Sequence, residues 1–123
     1  MNWKPVRKYL DHGILVTSSS DVPSTVSSNP FVALYSLVTR KNNLGREVAS
    51  QEAVSREEAL RAYTVNGTWL TREENLKGSI EAGKAADMVI LDRDYFAVPE
   101  EEIKDIRVEK TMVGGNFVWQ RGV

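Results

Sequence analysis

The side chain best placed to do chemistry in this sequence is Asp21, which follows a short apolar run and a cluster of hydroxyl residues. The run, residues 14–16, is entered through Gly13 and is rich in β-branched residues, so it predicts a buried strand. Parallel α/β folds present functional side chains at the carboxyl ends of their strands, where an Asp can bind a metal or act as a base. An Asp just before Val22-Pro23 is also a common turn signal, and residue chemistry alone favours that turn.

The supply of other metal-binding side chains is small. His12 is the only histidine, and the 123 residues contain no cysteine. A catalytic metal site usually takes about three protein ligands, so the chain alone is poorly equipped for metal catalysis. We assign His12 no metal role, because it falls in the last turn of a helix predicted over residues 3–11 and ended by Gly13. The lack of cysteine excludes disulfides, zinc–thiolate sites and cysteine nucleophiles.

Length and charge limit the class of protein. A chain of 123 residues builds one domain with one core. The 16 basic and 17 acidic residues give a net charge of −1, which argues against a general nucleic-acid binder. No basic cluster suits an anionic membrane surface, and no apolar stretch approaches the roughly 20 residues that span a bilayer. We therefore expect no nucleic-acid or membrane partner, and the absence of cysteine fits a cytoplasmic location.

Two helices are predicted in the middle of the chain. Asn29 is an N-cap before Pro30, and the helix that they begin ends near Arg40. Ser55 and Glu58 form a capping box for a second helix that runs to about residue 65, where Asn66-Gly67 interrupts it. The Ser- and Thr-rich residues 17–29 could pass for a flexible binding linker, but the ordered motifs on both sides argue against that interpretation.

The last third of the sequence has the pattern of a small antiparallel sheet. The apolar run at residues 88–91 is the most hydrophobic in the chain, so Val89 is expected to be buried. Residues 106–113 alternate, although imperfectly, and Gly114-Gly115 is a hairpin signal before a returning strand at residues 117–119. The acidic residues 99–104 predict a short helical turn. This sheet needs no chemistry of its own.

Five motifs in one order carry a resemblance to a known family. Residues 78–92, G-S-I-E-A-G-K-A-A-D-M-V-I-L-D, resemble the closing segment of metal-dependent hydrolases of the amidohydrolase superfamily. The S-D-x-P at residues 20–23 is similar to the motif that follows the last barrel strand of the family, and residues 29–40 are similar to its next helix. The E-A-L-x-x-Y-T-x-N at residues 58–66 and the T-x-V-x-G at residues 111–115 also resemble family motifs. The subgroup most similar is the one that acts on N-substituted amides, the amidohydrolase family 3 type.

The resemblance implies an α/β fold class. It assigns residues 1–75 to the last helix–strand–helix portion of a (β/α)₈ barrel, and residues 76–123 to a small β-sandwich segment of a composite domain. A barrel takes about 250 residues, so the chain is expected to be a truncated C-terminal part of such a hydrolase. The implied activity is metal-dependent cleavage of C–N bonds in a small-molecule, amide-type substrate.

The resemblance also implies the site residues. In the family, a His-x-His on the first strand, a carboxylated lysine or glutamate and two later histidines hold the metals, and none of these is found here. The family's Asp after the last barrel strand corresponds to Asp21. The resemblance therefore implies that Asp21 is both a catalytic and a metal-binding residue, which binds the metal and takes a proton from the attacking water. The resemblance implies a divalent metal, zinc, in the full-length parent, and we expect no cofactor for this chain alone. Gly67 departs from the family, which has alanine there.

Two classes of function stay open at this stage. In the first, the chain is a piece of a hydrolase and is inactive by itself. In the second, it is a stand-alone non-catalytic interaction module, or a remnant of a hydrolase. Either way, the open strand at residues 14–16 predicts that the chain forms homo-oligomers or binds its missing N-terminal portion.

Overall fold

The computed structural model describes residues 4–23, 27–42 and 44–123, and it contains both helices and a sheet. The four helices are α1 (Val6–Asp11), α2 (Pro30–Thr39), α3 (Arg56–Tyr63) and α4 (Val65–Leu70). Two 3₁₀ turns lie at Ser50–Glu52 and Glu100–Asp105, and the three strands are β1 (Met88–Leu91), β2 (Val108–Val113) and β3 (Asn116–Gln120). The predicted mixture of helices and strands is confirmed, whereas these described ranges contain one antiparallel sheet and no barrel strand.

The first helix is shorter than predicted at its beginning. Helix α1 begins at Val6, and the predicted start at residue 3 lies outside the described residues. His12 is its C-cap, and Gly13 follows with a φ of +71°, so the predicted end is confirmed. The Nη1 atom of Arg7 lies 2.8 Å from both carboxylate oxygens of Glu58, which connects α1 to the start of α3.

The predicted caps of α2 and α3 are present. The side-chain oxygen of Asn29 accepts a 3.0 Å hydrogen bond from the N–H of Phe31, with Pro30 at the first helical position. At α3, the Ser55 hydroxyl accepts from the N–H of Glu58 at 3.1 Å, and the Glu58 carboxylate accepts from the N–H of Ser55 at 2.8 Å. Local sequence signals therefore set both helix starts.

The interruption after α3 lies two residues before its predicted place. Thr64 leaves the helical region with φ −124° and ψ −98°, and Asn66 and Gly67 both belong to α4. The Thr64 hydroxyl donates to the carbonyl oxygen of Leu60 at 2.8 Å, which gives the last turn of α3 an extra bond at the break. The prediction that Asn66-Gly67 breaks the helix is therefore wrong.

The prediction of a buried strand at residues 14–16 is also wrong. This segment is extended but belongs to no strand, and the side chains of Ile14 and Leu15 are 52% and 44% exposed. A parallel strand needs hydrogen-bonding neighbours, and no other part of the described chain provides one. The segment is bonded to helices instead, through the carbonyl of Val16 and the N–H of Ser18.

The tail forms the predicted antiparallel sheet, in the order β1-β2-β3, with the hairpin at Gly114-Gly115. The side chain of Val89 is 51% exposed, so its predicted burial is wrong. The apolar run forms the strand but leaves this side chain half-exposed. All five residues of β3 are exposed, and none of them is charged.

The core lies between α2, α3 and the 3₁₀ turn Glu100–Asp105. Its most buried large side chains are Ile103 and Ile106, which come from or next to that acidic turn. The cluster is formed by Phe31, Leu34, Tyr35, Val38, Val54, Ala59, Tyr95, Ile103 and Ile106. Residues before and after position 75 thus share one core, and the division of the chain at residues 75 and 76 stays a prediction.

A reciprocal set of hydrogen bonds joins α3 to the loop after β1. The Arg56 guanidinium donates to the carbonyl oxygens of Tyr95 and Val98, at 2.7 and 2.6 Å. The Tyr95 hydroxyl donates in return to the carbonyl oxygen of Arg56 at 3.0 Å. Burial raises the pKa of Tyr95 from 10.0 to about 12, because the phenolate would lose its hydration.

Folding should therefore weaken in alkali through Tyr95. Its contribution is fully present below pH 10.0, where the unfolded tyrosine keeps its proton, and is lost as the pH rises towards about 12. Tyr95→Phe should cost about 1 kcal/mol near neutral pH through the lost hydrogen bond, yet its stability should fall less steeply above pH 10.0. Urea denaturation of both proteins across this pH range measures their free energies of unfolding. If these free energies fell equally steeply with pH above 10.0, the role of Tyr95 would be contradicted.

Candidate functional site

Asp21 lies where the extended segment of residues 14–20 ends. Its side chain is exposed, and its backbone has a φ of +53°, a left-handed conformation that is uncommon for residues other than glycine. The N–H of Asp21 donates to the Ser19 hydroxyl at 3.2 Å, as in a hydroxyl-stabilised turn. The turn that residue chemistry favours is therefore present.

The described residues do not fit a metal by themselves. Within residues 4–23, 27–42 and 44–123, no three His, Cys, Asp or Glu side chains come together as a group that could hold a metal ion. His12 caps α1, with its Nδ1 atom 2.8 Å from the carbonyl oxygen of Lys8. Because Asp21 alone supplies too few ligands for a catalytic metal, no reaction step follows from these side chains.

A groove lies along the segment that leads to Asp21. Its volume is about 690 Å³, within the range of small-molecule sites. Residues 17–20 line it, together with Tyr9 of α1 and with Val32 and Leu37 of α2. The groove is thus partly apolar and partly hydroxyl-lined, and Asp21 adjoins its lining residues in sequence.

The signature at residues 78–92 has a structural role. The Asp87 carboxylate accepts a 2.7 Å hydrogen bond from the N–H of Gly114, and the carbonyl oxygen of Ala86 accepts from the N–H of Gly115 at 3.1 Å. Asp87 therefore satisfies a backbone donor in the hairpin, 27 residues away in sequence. This pair of residues fixes the hairpin to the start of β1.

The first glycine of the signature lies against α4. Gly78 has a φ of +97°, and a Cβ atom there would lie 2.7 Å from Thr68 Cγ2 and 2.8 Å from its Oγ1. Gly83 has a similar φ of +91° but nothing within 4 Å of such an atom. Both glycines adopt backbone conformations that side chains would obstruct, and only Gly78 also makes room for a neighbour.

The comparison with known proteins places the chain in a family. The profile described as "Amidohydrolase family" matches residues 2–119. The chain belongs to the amidohydrolase family. This confirms the resemblance seen in the motifs, and amidohydrolases are generally metal-dependent hydrolases.

Individual amidohydrolases match almost all of this chain. N-substituted formamide deformylase from Arthrobacter pascens is 37% identical over 117 residues, covering 95% of this chain and 21% of the relative. Imidazolonepropionase from Thermoplasma acidophilum is 31% identical over 117 residues, covering 94% of this chain and 26% of the relative. A crystal structure of an amidohydrolase from Thermotoga maritima superposes with a TM-score of 0.72 at 25% identity, covering 94% of this chain and 26% of that one.

The chain therefore spans about a fifth to a quarter of the length of these amidohydrolases. Most of the length of each relative has no counterpart in the 123 residues. No helix in the described part of the chain is both long and apolar enough to cross a membrane.

Proposed function

We propose that the chain is the C-terminal portion of a metal-dependent hydrolase that cleaves amide-type C–N bonds, and that it is inactive alone. The observation that carries the proposal is the match to the amidohydrolase family over residues 2–119, made by a chain only a fifth to a quarter as long as its relatives. The motif order supports the C-terminal assignment. The name of the formamide deformylase relative supports an N-substituted amide as substrate.

In this proposal, Asp21 is the metal-binding side chain that the chain contributes, and the remaining ligands lie outside it. Its exposed carboxylate, at the end of a backbone segment held on helices, supports this role. Zinc is the proposed metal. Residues 1–75 are proposed as the last barrel portion, and residues 76–123 as part of a composite β-sandwich.

We also propose that the chain associates with its own copies or with the remainder of the hydrolase, in the cytoplasm. The half-exposed Ile14 and Leu15, and the exposed Phe117 and Trp119 on the open sheet, support association. A nucleic acid or a membrane surface is a poor partner for a chain with a net charge of −1 and no basic cluster.

A stand-alone, non-catalytic module is the second candidate, favoured by the shortage of metal ligands among the described residues. The DNA upstream of the Met1 codon discriminates between the two. An open frame with His-x-His and two further histidines supports the hydrolase portion. A start codon with its own ribosome-binding site supports the module.

The purified chain should not hydrolyse N-substituted formamides or N-acyl amino acids when zinc or manganese is added, because its described residues form no metal site. Asp21→Asn should give the same background rate as the unmodified chain. Asp105→Asn, at an exposed aspartate outside the groove, is the matched control. Metal-dependent turnover that Asp21→Asn abolishes and Asp105→Asn keeps would show that the isolated chain is an enzyme.

A further inference from the structure

Two hydrogen bonds attach the Asp21-bearing segment to the junction of α3 and α4. The side-chain amide of Asn66 donates from Nδ2 to the carbonyl oxygen of Val16 at 2.8 Å, joining residues 50 positions apart. The N–H of Ser18 donates to the carbonyl oxygen of Ala62 at 2.9 Å. The segment therefore takes its path from the helix junction rather than from a sheet.

The helix break makes this attachment available. In an uninterrupted helix, the carbonyl of Ala62 would accept the N–H four residues later, that of Asn66. The change of direction at Thr64 takes the chain off the helical path, and the carbonyl accepts from Ser18 instead. The same break places Asn66 in the first turn of α4, with its side chain towards the segment.

Asn66 is built into the fold rather than lying on its surface. Its side chain is buried, with the residue only 7% exposed, and its amide donor is satisfied by the bond to Val16. A buried amide aimed at a single backbone carbonyl fixes that carbonyl strongly, since either group would otherwise lose its hydrogen bond away from water. From Val16 the chain needs only five residues to reach Asp21, which already has a restricted, left-handed backbone.

We propose that Asn66 is a positioning residue that fixes the path of residues 16–21 and thereby the place of the Asp21 carboxylate. The inference rests on the proposed function, in which Asp21 contributes to the active site. It joins two of the family-like motifs, residues 20–23 and residues 58–66, into one structural unit. It also gives the asparagine a role that alanine or leucine could not fill, because the bond to Val16 needs a side-chain donor.

Amide hydrogen exchange and ¹⁵N relaxation of the whole chain, measured by NMR, test the proposal. In the unmodified chain, the Ser18 amide should be protected and Asp21 should have an order parameter near that of rigid backbone, about 0.85. Asn66→Ala should lower the Ser18 protection at least about tenfold and bring the order parameter of Asp21 below about 0.6. Amides of α2 should change less than about twofold.

Asn116→Ala is the matched control, because Asn116 is exposed and its Nδ2 lies 3.4 Å from the carbonyl oxygen of Gly114 in the distant hairpin. It should leave Ser18 and Asp21 unchanged. If Asn66 had only a general structural role, Asn66→Ala would lower the protection of α2 and Ser18 by the same factor. That result, or an unchanged order parameter at Asp21, would overturn the proposal.

If Asn66→Ala does not fold, Asn66→Leu replaces it, since leucine keeps the side-chain shape, introduces no buried charge and has no donor for the Val16 carbonyl. The unmodified chain also tests the proposal without any variant, because an unprotected Ser18 amide in that chain would overturn it. None of these readouts involves metal or turnover. Failure of the proposed hydrolase function would therefore leave the exchange result intact, and the two failures are distinguishable.

Discussion

Ile103→Ala should lower the free energy of unfolding by about 2–5 kcal/mol, a large part of the about 5–15 kcal/mol that stabilises a domain. Ile103 is 0% exposed and lies in the core cluster between the acidic 3₁₀ turn and α2. Removing three carbons there loses the transfer free energy of burial and leaves a cavity that the surrounding helices fill only in part. Urea denaturation followed by far-ultraviolet circular dichroism measures the loss.

Val89→Ala is the matched control for Ile103→Ala. Val89 lies in the most apolar run of the sequence, but its side chain faces solvent over half its surface. The change should cost less than about 1 kcal/mol, mainly as a loss of strand propensity. A larger loss for Val89→Ala than for Ile103→Ala would mean that the core lies in the sheet and not under the 3₁₀ turn.

Gly78→Ala should cost about 2–5 kcal/mol, the sum of a left-handed backbone penalty and a steric clash. The φ of +97° is one that L side chains rarely adopt, which accounts for about 1–2 kcal/mol. A new Cβ at 2.7 Å from Thr68 Cγ2 would also displace α4, for about 1–3 kcal/mol more. The midpoint and slope of urea denaturation measure the total.

Gly83→Ala separates the two contributions to the Gly78 effect. Its φ of +91° imposes a similar backbone penalty, but the space around it is open, so it should cost only about 1–2 kcal/mol. Thr68→Ala combined with Gly78→Ala should recover part of the loss, because the clashing atoms are gone. Equal losses for the two glycine variants would mean that Gly78 does not pack against Thr68.

Local signals predicted the parts of the fold whose interactions are close in sequence. The N-cap at Asn29 and the capping box of Ser55 and Glu58 satisfy backbone groups within three residues, so the sequence alone identifies them. The hairpin at Gly114-Gly115 is equally local, because left-handed backbone angles at two successive residues favour glycine.

The wrong predictions concern interactions between distant residues. The apolar run at residues 14–16 has strand propensity, but a strand also needs a neighbour, and the described chain offers helices there instead. Hydrophobicity marked Val89 for burial, while the turn that provides Ile103 and Ile106 is rich in glutamate and was predicted only as a short helical turn. Burial depends on which faces meet, and that is decided by tertiary packing.

For the candidate site, the sequence located Asp21 at the end of its segment, and its metal role stays a prediction. It does not identify Asn66, because the Asn66-Gly67 pair predicts a helix break instead. The bond from Asn66 to Val16 joins residues 50 positions apart. Neither the composition nor the periodicity of a sequence indicates which distant residues form such a bond. The available signal was the asparagine at the end of the motif of residues 58–66.

The exposed edge strand β3 affects the solubility of the chain. Natural proteins keep exposed strands apart with lysine, proline or a bulge that turns the edge away. Strand β3 carries no charge in Asn116–Gln120, and its one irregularity is the register shift opposite Thr111 and Met112. A net charge of −1 adds almost no long-range repulsion between molecules. Solubility at high concentration should therefore depend on what covers the two uncharged edge strands, β1 and β3, and a charged residue introduced in either strand is expected to raise it.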